Sequence, residues 1–253
     1  MVSYRLMLGM VLYLGLFAGG SPQAAMPLAP PIVAALADPE RPATDRARDG
    51  DRKPSQILVL TGVETAARVV DIGPGSGYYT RLLSRVVGSG GKVFAFNPTW
   101  LDTRFPKAKE GITALVAAGY TNIENRIQPM AEIHFEAPVD LVFMSQLYHD
   151  QHVQKIDIAR MNRAIFAALK PGGVYFIVDH CALPGATEAQ VTALHRIDPA
   201  VVKREAAAAG FVLEAASNLL KNDNDPGNIP VFDPTIRGKT NQFVLKFRKP
   251  DPH

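Results

Sequence analysis

The chain holds 253 residues, 47% of them apolar and 20% charged, which supplies a core of ordinary size and argues against global disorder. Lys and Arg number 27 against 24 Asp and Glu, a net charge of +3, which makes no polyanion-binding field and weighs against a dedicated nucleic-acid binder. The single cysteine, Cys181, excludes an intramolecular disulfide framework and any cluster of cysteine metal ligands.

Residues 1–5 carry one cation, Arg5, and residues 6–20, LMLGMVLYLGLFAGG, carry none. As a helix that run is about 22 Å long, short of the ~30 Å hydrocarbon core. Small residues follow, Ala18-Gly19-Gly20 and then Ala24-Ala25. The layout predicts a signal peptide over residues 1–25, cleaved between Gly20 and Ala25, with an uncleaved membrane anchor as the alternative. Either version places the rest of the chain outside the cytosol, periplasmic or secreted. Residues 26–53 read as an extension ahead of the domain. The Pro- and Ala-rich stretch 21–44 predicts an extended tether with one helical turn near 32–37, and RPATDRARDGDRK (41–53) a solvated charged face.

From Pro54 onward strands and helices alternate, so 54–253 is expected to be one α/β domain with a mostly parallel sheet. Pro54 suits the first turn of a helix reaching residue 60. RVVDI (68–72) predicts a strand, 78–87 a helix, KVFAF (92–96) a second strand and 107–118 a helix ended by Gly119. Strands are expected at 122–128 and 139–145, and one long helix over 152–169. Pro171-Gly172-Gly173 turns the chain into a strand at 174–178. Asp198-Pro199 reads as a helix N-cap and first helical residue, the helix stopping at Gly210. Strands at 211–216 and 242–247 close the pattern. The stretch 223–240, rich in Asp, Asn, Pro and Gly, is long for a connection and reads as a lid or a surface turn.

The sharpest feature is VVDIGPGSGYY (69–79): a buried strand, an acid, glycines at 73, 75 and 77, then a helix. Bare main chain at the carboxyl end of a strand lets a ligand approach closely. A dinucleotide loop, G-x-G-x-x-G, would carry glycine where Tyr78 stands, and Asp71 suits a cationic ligand better than a pyrophosphate, so a nicotinamide-dependent oxidoreductase is disfavoured.

DIGPGSG here, with ALKPGGVYFIVD (168–179), resembles the class I S-adenosylmethionine-dependent methyltransferases over roughly residues 54–248. More narrowly, RDGDRKPSQ (48–56), YHD (148–150), LHRIDPAVVKREAAAAGF (194–211) and FDPTIRGKTNQFVLKFRKP (232–250) resemble predicted exported bacterial methyltransferases. The resemblance implies a Rossmann-like fold, a seven-stranded mostly parallel sheet with an antiparallel last strand and helices on both faces. It implies S-adenosyl-L-methionine as cofactor, with Asp71, Gly73, Gly75 and Gly77 around its methionine moiety. Asn97 stands where an acid usually meets the ribose, and the adenine-facing acid aligns loosely with Pro129, near Glu132. Both departures predict altered cofactor binding, and with it the alternative of a non-catalytic small-ligand-binding protein on this scaffold.

In the family, the loop after the fourth strand faces the methyl and its acceptor, here an unidentified small molecule. His149 is a candidate base, Asp150 its orienting group and Tyr148 a ring to line a sulfonium pocket, or the three form an ordinary helix start. His180 at the end of the fifth strand is a second candidate for the acceptor pocket, and Cys181 a small buried side chain. Arg196 pairs with a substrate carboxylate or with Asp198. HExxH spacing is absent and His149 and His152 are a poor pair, so no dedicated metal site is expected.

Overall fold

The computed structural model describes residues 28–105 and 108–252. The predicted signal peptide, 1–25, lies outside the described residues. Four short helices come first: α1 (Pro30–Ala37), α2 (Ala43–Arg46), α3 (Asp49–Arg52) and α4 (Pro54–Thr61). Then follow β1 (Arg68–Ile72), α5 (Tyr78–Val87), β2 (Lys92–Pro98), α6 (Thr99–Arg104), α7 (Ala108–Ala117), β3 (Ile123–Gln128) and β4 (Val139–Ser145). The remainder is α8 (Tyr148–Val153), α9 (Ile158–Ala168), β5 (Leu169–His180), α10 (Glu188–Leu194), α11 (Pro199–Ala208), β6 (Val212–Ser217) and β7 (Gln242–Arg248).

The seven strands form one sheet in the order β3-β2-β1-β4-β5-β7-β6. All neighbours run parallel except β7, which is antiparallel to both β5 and β6. This is the expected Rossmann-like methyltransferase fold. Side chains alternate across the pleat, so each strand serves two cores. Val69, Leu141 and Phe143 pack under α1, α4 and α5, while Val70, Val142 and Met144 pack under α9 and α11. Asp71 falls on the first face, toward α5.

Two expectations are corrected. The helical turn expected near 32–37 is present as α1, but the extended tether around it and the solvated face at 41–53 are, from residue 30 on, helices and short connections built into the domain. Ile32 and Ala35 are buried in the core, Arg41 pairs with Asp49 at 2.6 Å, and Asp45 with Arg81 at 2.5 Å. Composition misled because the fold supplies partners for these charges: Asp49 for Arg41, Asp45 for Arg48 and Arg81, backbone carbonyls for Arg46 and Lys53, and tyrosine rings for Arg52. The single helix predicted over 152–169 is two: Lys155 takes a left-handed φ of 53°, and Asp157 caps α9 by accepting from Arg160 N at 2.9 Å.

Candidate functional site

Strand order reverses direction between β1 and β4, the switch point at which open α/β sheets bind ligands. A cavity of about 300 Å³ opens there beside Asp71, Gly75, Ser76, Tyr79, Gln146 and Leu147. Leu101 and Phe105 close one side, and Arg48 and Arg52 reach in from the N-terminal helices.

All three loop glycines have left-handed φ, +69° at Gly73, +55° at Gly75 and +85° at Gly77, a region costly for other residues. The space around them differs. A Cβ at Gly73 would sit 2.6 Å from Leu147 Cδ2 and one at Gly77 2.5 Å from Leu115 Cδ1, whereas one at Gly75 would meet nothing within 4 Å. The N–H groups of Gly73 and Gly77 donate to the carbonyls of Phe96 and Pro74, each at 2.9 Å. The outer glycines therefore make room for the protein's own leucines, and the main chain bared to a ligand is that of Gly75 and Ser76.

Asp71 is buried and accepts from Thr80 Oγ1 at 2.6 Å, and burial raises its pKa to about 6. Above it the Arg52 guanidinium lies over the rings of Tyr78 (4.8 Å) and Tyr79 (5.8 Å) and donates to Gln146 Oε1 at 3.2 Å. Arg48 takes the Tyr78 ring at 4.8 Å, and the Tyr78 hydroxyl donates to Asp49 at 2.6 Å. The tyrosine that replaces the third glycine of a dinucleotide loop thus anchors the N-terminal helices over the cleft. Gln146, at the end of β4, has φ +56°, an outlier for a non-glycine residue of the sort that collects at functional sites. Its Nε2 donates to Gln242 Oε1 at 3.1 Å.

A second cavity, about 690 Å³, shares Gln146 and Phe105 with the first. Its walls carry His149, Asp150, His180 and His195, with Trp100 and Phe232 as aromatic sides. Both volumes fall in the range of small-molecule sites. The first turn of α8 turns His149 inward, where Nδ1 lies 2.7 Å from Asp179 Oδ1 and the backbone N–H donates to Asp179 Oδ2 at 2.8 Å. Its Nε2 lies 3.4 Å from Asp150 Oδ1, and the same oxygen lies 3.1 Å from His195 Nδ1. Burial disfavours charge on His149, yet the pull of Asp179 and the bonds to Asp150 and Asp179 outweigh it and raise its pKa to about 10. His180, whose ring centre is 5.6 Å away, goes the other way: burial lowers it to about 4. Its Nδ1 is taken by Thr240 Oγ1 at 2.6 Å. His195 sits at φ +53° as the C-cap of α10.

Of the residues expected at the site, Asp71, Gly73, Gly75, His149, Asp150 and His180 line one cavity or the other. Gly77 supports the loop from behind. Tyr148 is corrected: it is fully buried in the second core, donating to Glu205 Oε2 at 2.9 Å and accepting from Asn162 Nδ2 at 2.9 Å, because α8 starts at Tyr148 and directs it away from the clefts. Asn97 is corrected in part. Pro98 leads directly into α6, which folds over the strand end and buries Asn97, and Leu101 and Phe105 take its place on the wall. Its Oδ1 nevertheless lacks a hydrogen-bond partner, a buried acceptor that the protein alone does not satisfy. Glu132 pairs with Arg160 on the surface at 3.2 Å, and Pro129 borders a separate cavity. Arg196 pairs with Asp225, not with Asp198. The bridge is two-pronged and fully buried, at 2.8 and 2.9 Å. This pins the 223–240 segment, whose Val231 and Phe232 wall the second cavity. Sequence reasoning missed Arg48, Arg52 and Gln146 as cleft residues. The only signal was the repeated arginine spacing in RDGDRK, which composition assigned to solvent.

Residues 34–215 match the family model described as a methyltransferase domain. No curated relative matches the chain. Solved structures of the same fold include an S-adenosylmethionine-dependent methyltransferase from Aquifex aeolicus (18% identity, TM-score 0.55, covering 80% of this chain and 98% of that one). Another, from Mesorhizobium loti, has 17% identity and TM-score 0.56, covering 79% and 99% of the two chains. The [4+2]-cyclase SpnF aligns with TM-score 0.58 at 15% identity over 80% and 81%. At these identities the likeness is one of fold.

Proposed function

Because this chain belongs to the methyltransferase domain family, we propose that it transfers a methyl group from S-adenosyl-L-methionine to a small-molecule acceptor bound in the second cavity. The observation that carries this is the meeting of two unequal clefts at Gln146 and Phe105, one at the glycine loop and one lined by imidazoles. The cofactor supplies an electrophilic methyl on a sulfonium centre. The residues present fit it: Asp71 offers the carboxylate that a cationic ligand favours, Arg48 and Arg52 offer cations for its carboxylate, Gly75 and Ser76 offer open main chain, and Leu101, Phe105 and Leu147 offer apolar surface for a base.

Methyl transfer is an in-line displacement, so the protein's work is alignment and removal of the acceptor's proton. His149 is poorly placed to take that proton, since both its ring nitrogens already face carboxylates, Asp179 and Asp150. His180 is better placed: Nδ1 is held by Thr240, which leaves Nε2 for the acceptor. Asp150 and His195 orient the acceptor at the cavity wall. Titration calorimetry with S-adenosylhomocysteine, followed by transfer of labelled methyl to a panel of hydroxy and amino compounds, tests the reading, and absence of binding at millimolar ligand overturns it.

We further propose that residues 1–25 direct export, on the ground of their uncharged apolar run 6–20 and the small residues that follow it, in keeping with the resemblance to predicted exported bacterial methyltransferases. Fusion of this segment to a reporter active only outside the cytosol tests that part, and a silent reporter overturns it.

A further inference from the structure

We propose that His149 Nε2, Asp150 and His195 Nδ1 form a divalent transition-metal site in the wall of the second cavity, with zinc as its first occupant. The three donor atoms all lie within 4.8 Å of one another. Donors held at about 2.0–2.1 Å from a tetrahedral zinc stand about 3.4 Å apart. The two measured edges, 3.4 Å from His149 Nε2 to Asp150 Oδ1 and 3.1 Å from Asp150 Oδ1 to His195 Nδ1, match that spacing. Two imidazoles and one carboxylate suit zinc and its first-row neighbours rather than magnesium or calcium, which take oxygen.

A second observation supports the site. His149 Nδ1 lies 2.7 Å from Asp179 Oδ1, and Asp179 is fully buried and also accepts the His149 backbone N–H. A carboxylate behind a histidine fixes the ring and turns its other nitrogen outward as a ligand, the usual support of a metal-bound imidazole. Sequence spacing hid the set because His195 stands far along the chain from His149 and Asp150.

With three protein ligands a position remains open toward the cavity, as in catalytic rather than structural zinc sites. An acceptor whose hydroxyl, phenol or carboxylate oxygen occupies it would lose its proton more easily and be held in place. The substrate class is therefore an oxygen ligand of the metal, and this clause rests on the methyl-transfer reading. Metal binding does not.

Equilibrium dialysis of the full chain against micromolar zinc chloride, with elemental analysis, tests the site. One equivalent bound to the wild type, reduced at least tenfold in His195→Ala and in Asp150→Asn but kept in His152→Ala, is the expected result. His152 pairs with Glu205 outside the site. Cobalt in place of zinc gives the intense visible absorption of a low-coordinate nitrogen and oxygen site in the wild type and in His152→Ala, and not in His195→Ala or Asp150→Asn. Substoichiometric zinc, or zinc retained by both site variants, overturns the proposal. S-adenosylhomocysteine titration on the same samples separates the two readings: zinc without nucleoside leaves the metal site standing and removes the methyl transfer, and nucleoside without zinc does the reverse.

Discussion

The Arg52 guanidinium meets the Gln146 side-chain carbonyl at 3.2 Å, across 94 residues of sequence. The contact joins the N-terminal helices to the end of β4 and closes the cleft beside the glycine loop. Arg52 is stacked on two tyrosines, so its position is set by packing before any ligand arrives. In Arg52→Ala, S-adenosylhomocysteine affinity measured by calorimetry is expected to fall about tenfold or more, the scale of a charge-assisted hydrogen bond. Unchanged affinity would remove the N-terminal helices from the binding site.

The glycines separate by the contacts their Cβ atoms would make. Gly77→Ala drives a methyl into Leu115 at a strained φ and is expected to cost roughly 2–4 kcal/mol in urea unfolding. Gly75→Ala meets open space and carries only the backbone strain, about 1–2 kcal/mol. Its larger effect falls on nucleoside binding. Equal stability losses at the two positions would contradict this division.

Asp71 gives a pH signature. Its folded pKa of about 6 lies above the ordinary 3.8, so the folded chain holds the proton more tightly than the unfolded one. The stability this contributes is fully present below about pH 3.8 and lost as pH rises through about 6. Asp71→Asn keeps an acceptor for Thr80 and removes the buried charge. Relative to the wild type it should gain stability between pH 4 and pH 7, on the order of 1–3 kcal/mol, while losing affinity for the cationic donor. Parallel stability–pH curves for the two proteins would count against the assignment.

The buried Arg196–Asp225 bridge holds the wall of the acceptor cavity. Asp225 sits below its ordinary pKa despite burial that acts upward, because Arg196 and two backbone N–H groups bond its carboxylate. Asp225→Ala leaves Arg196 buried without its partner and is expected to cost roughly 3–5 kcal/mol by thermal or chemical unfolding. Limited proteolysis should then cut within 223–240. A resistant segment would show that other contacts hold it.

His180→Gln is expected to lower turnover by about 10²-fold or more, the usual worth of a positioned base, and to leave S-adenosylhomocysteine binding intact. Thr240→Val should produce a smaller loss by releasing Nδ1. Full turnover in His180→Gln would pass the proton to another group.

Local patterns were legible wherever one physical rule acted alone. RVVDI and VDLVFMS were read to their bounds because buried parallel strands need continuous apolar runs, and α5 because glycines end the loop before it. Asp198 was legible as a cap, since its carboxylate accepts from Ala200 N. The split at Lys155 was missed because apolar residues continue through it, although Asp157 carried the capping signal.

The sequence by itself determined the fold class and the glycine loop with its acid, because strand periodicity, left-handed glycines and a buried aspartate are constraints a short segment imposes on itself. Only the tertiary structure decided which of those groups face a ligand. It spent Gly73 and Gly77 on leucines and Tyr148 on the core, and it brought Arg52 to Gln146 and His195 to Asp150. Long-range pairing depends on where the crossovers return the chain, and residue spacing carries no record of that.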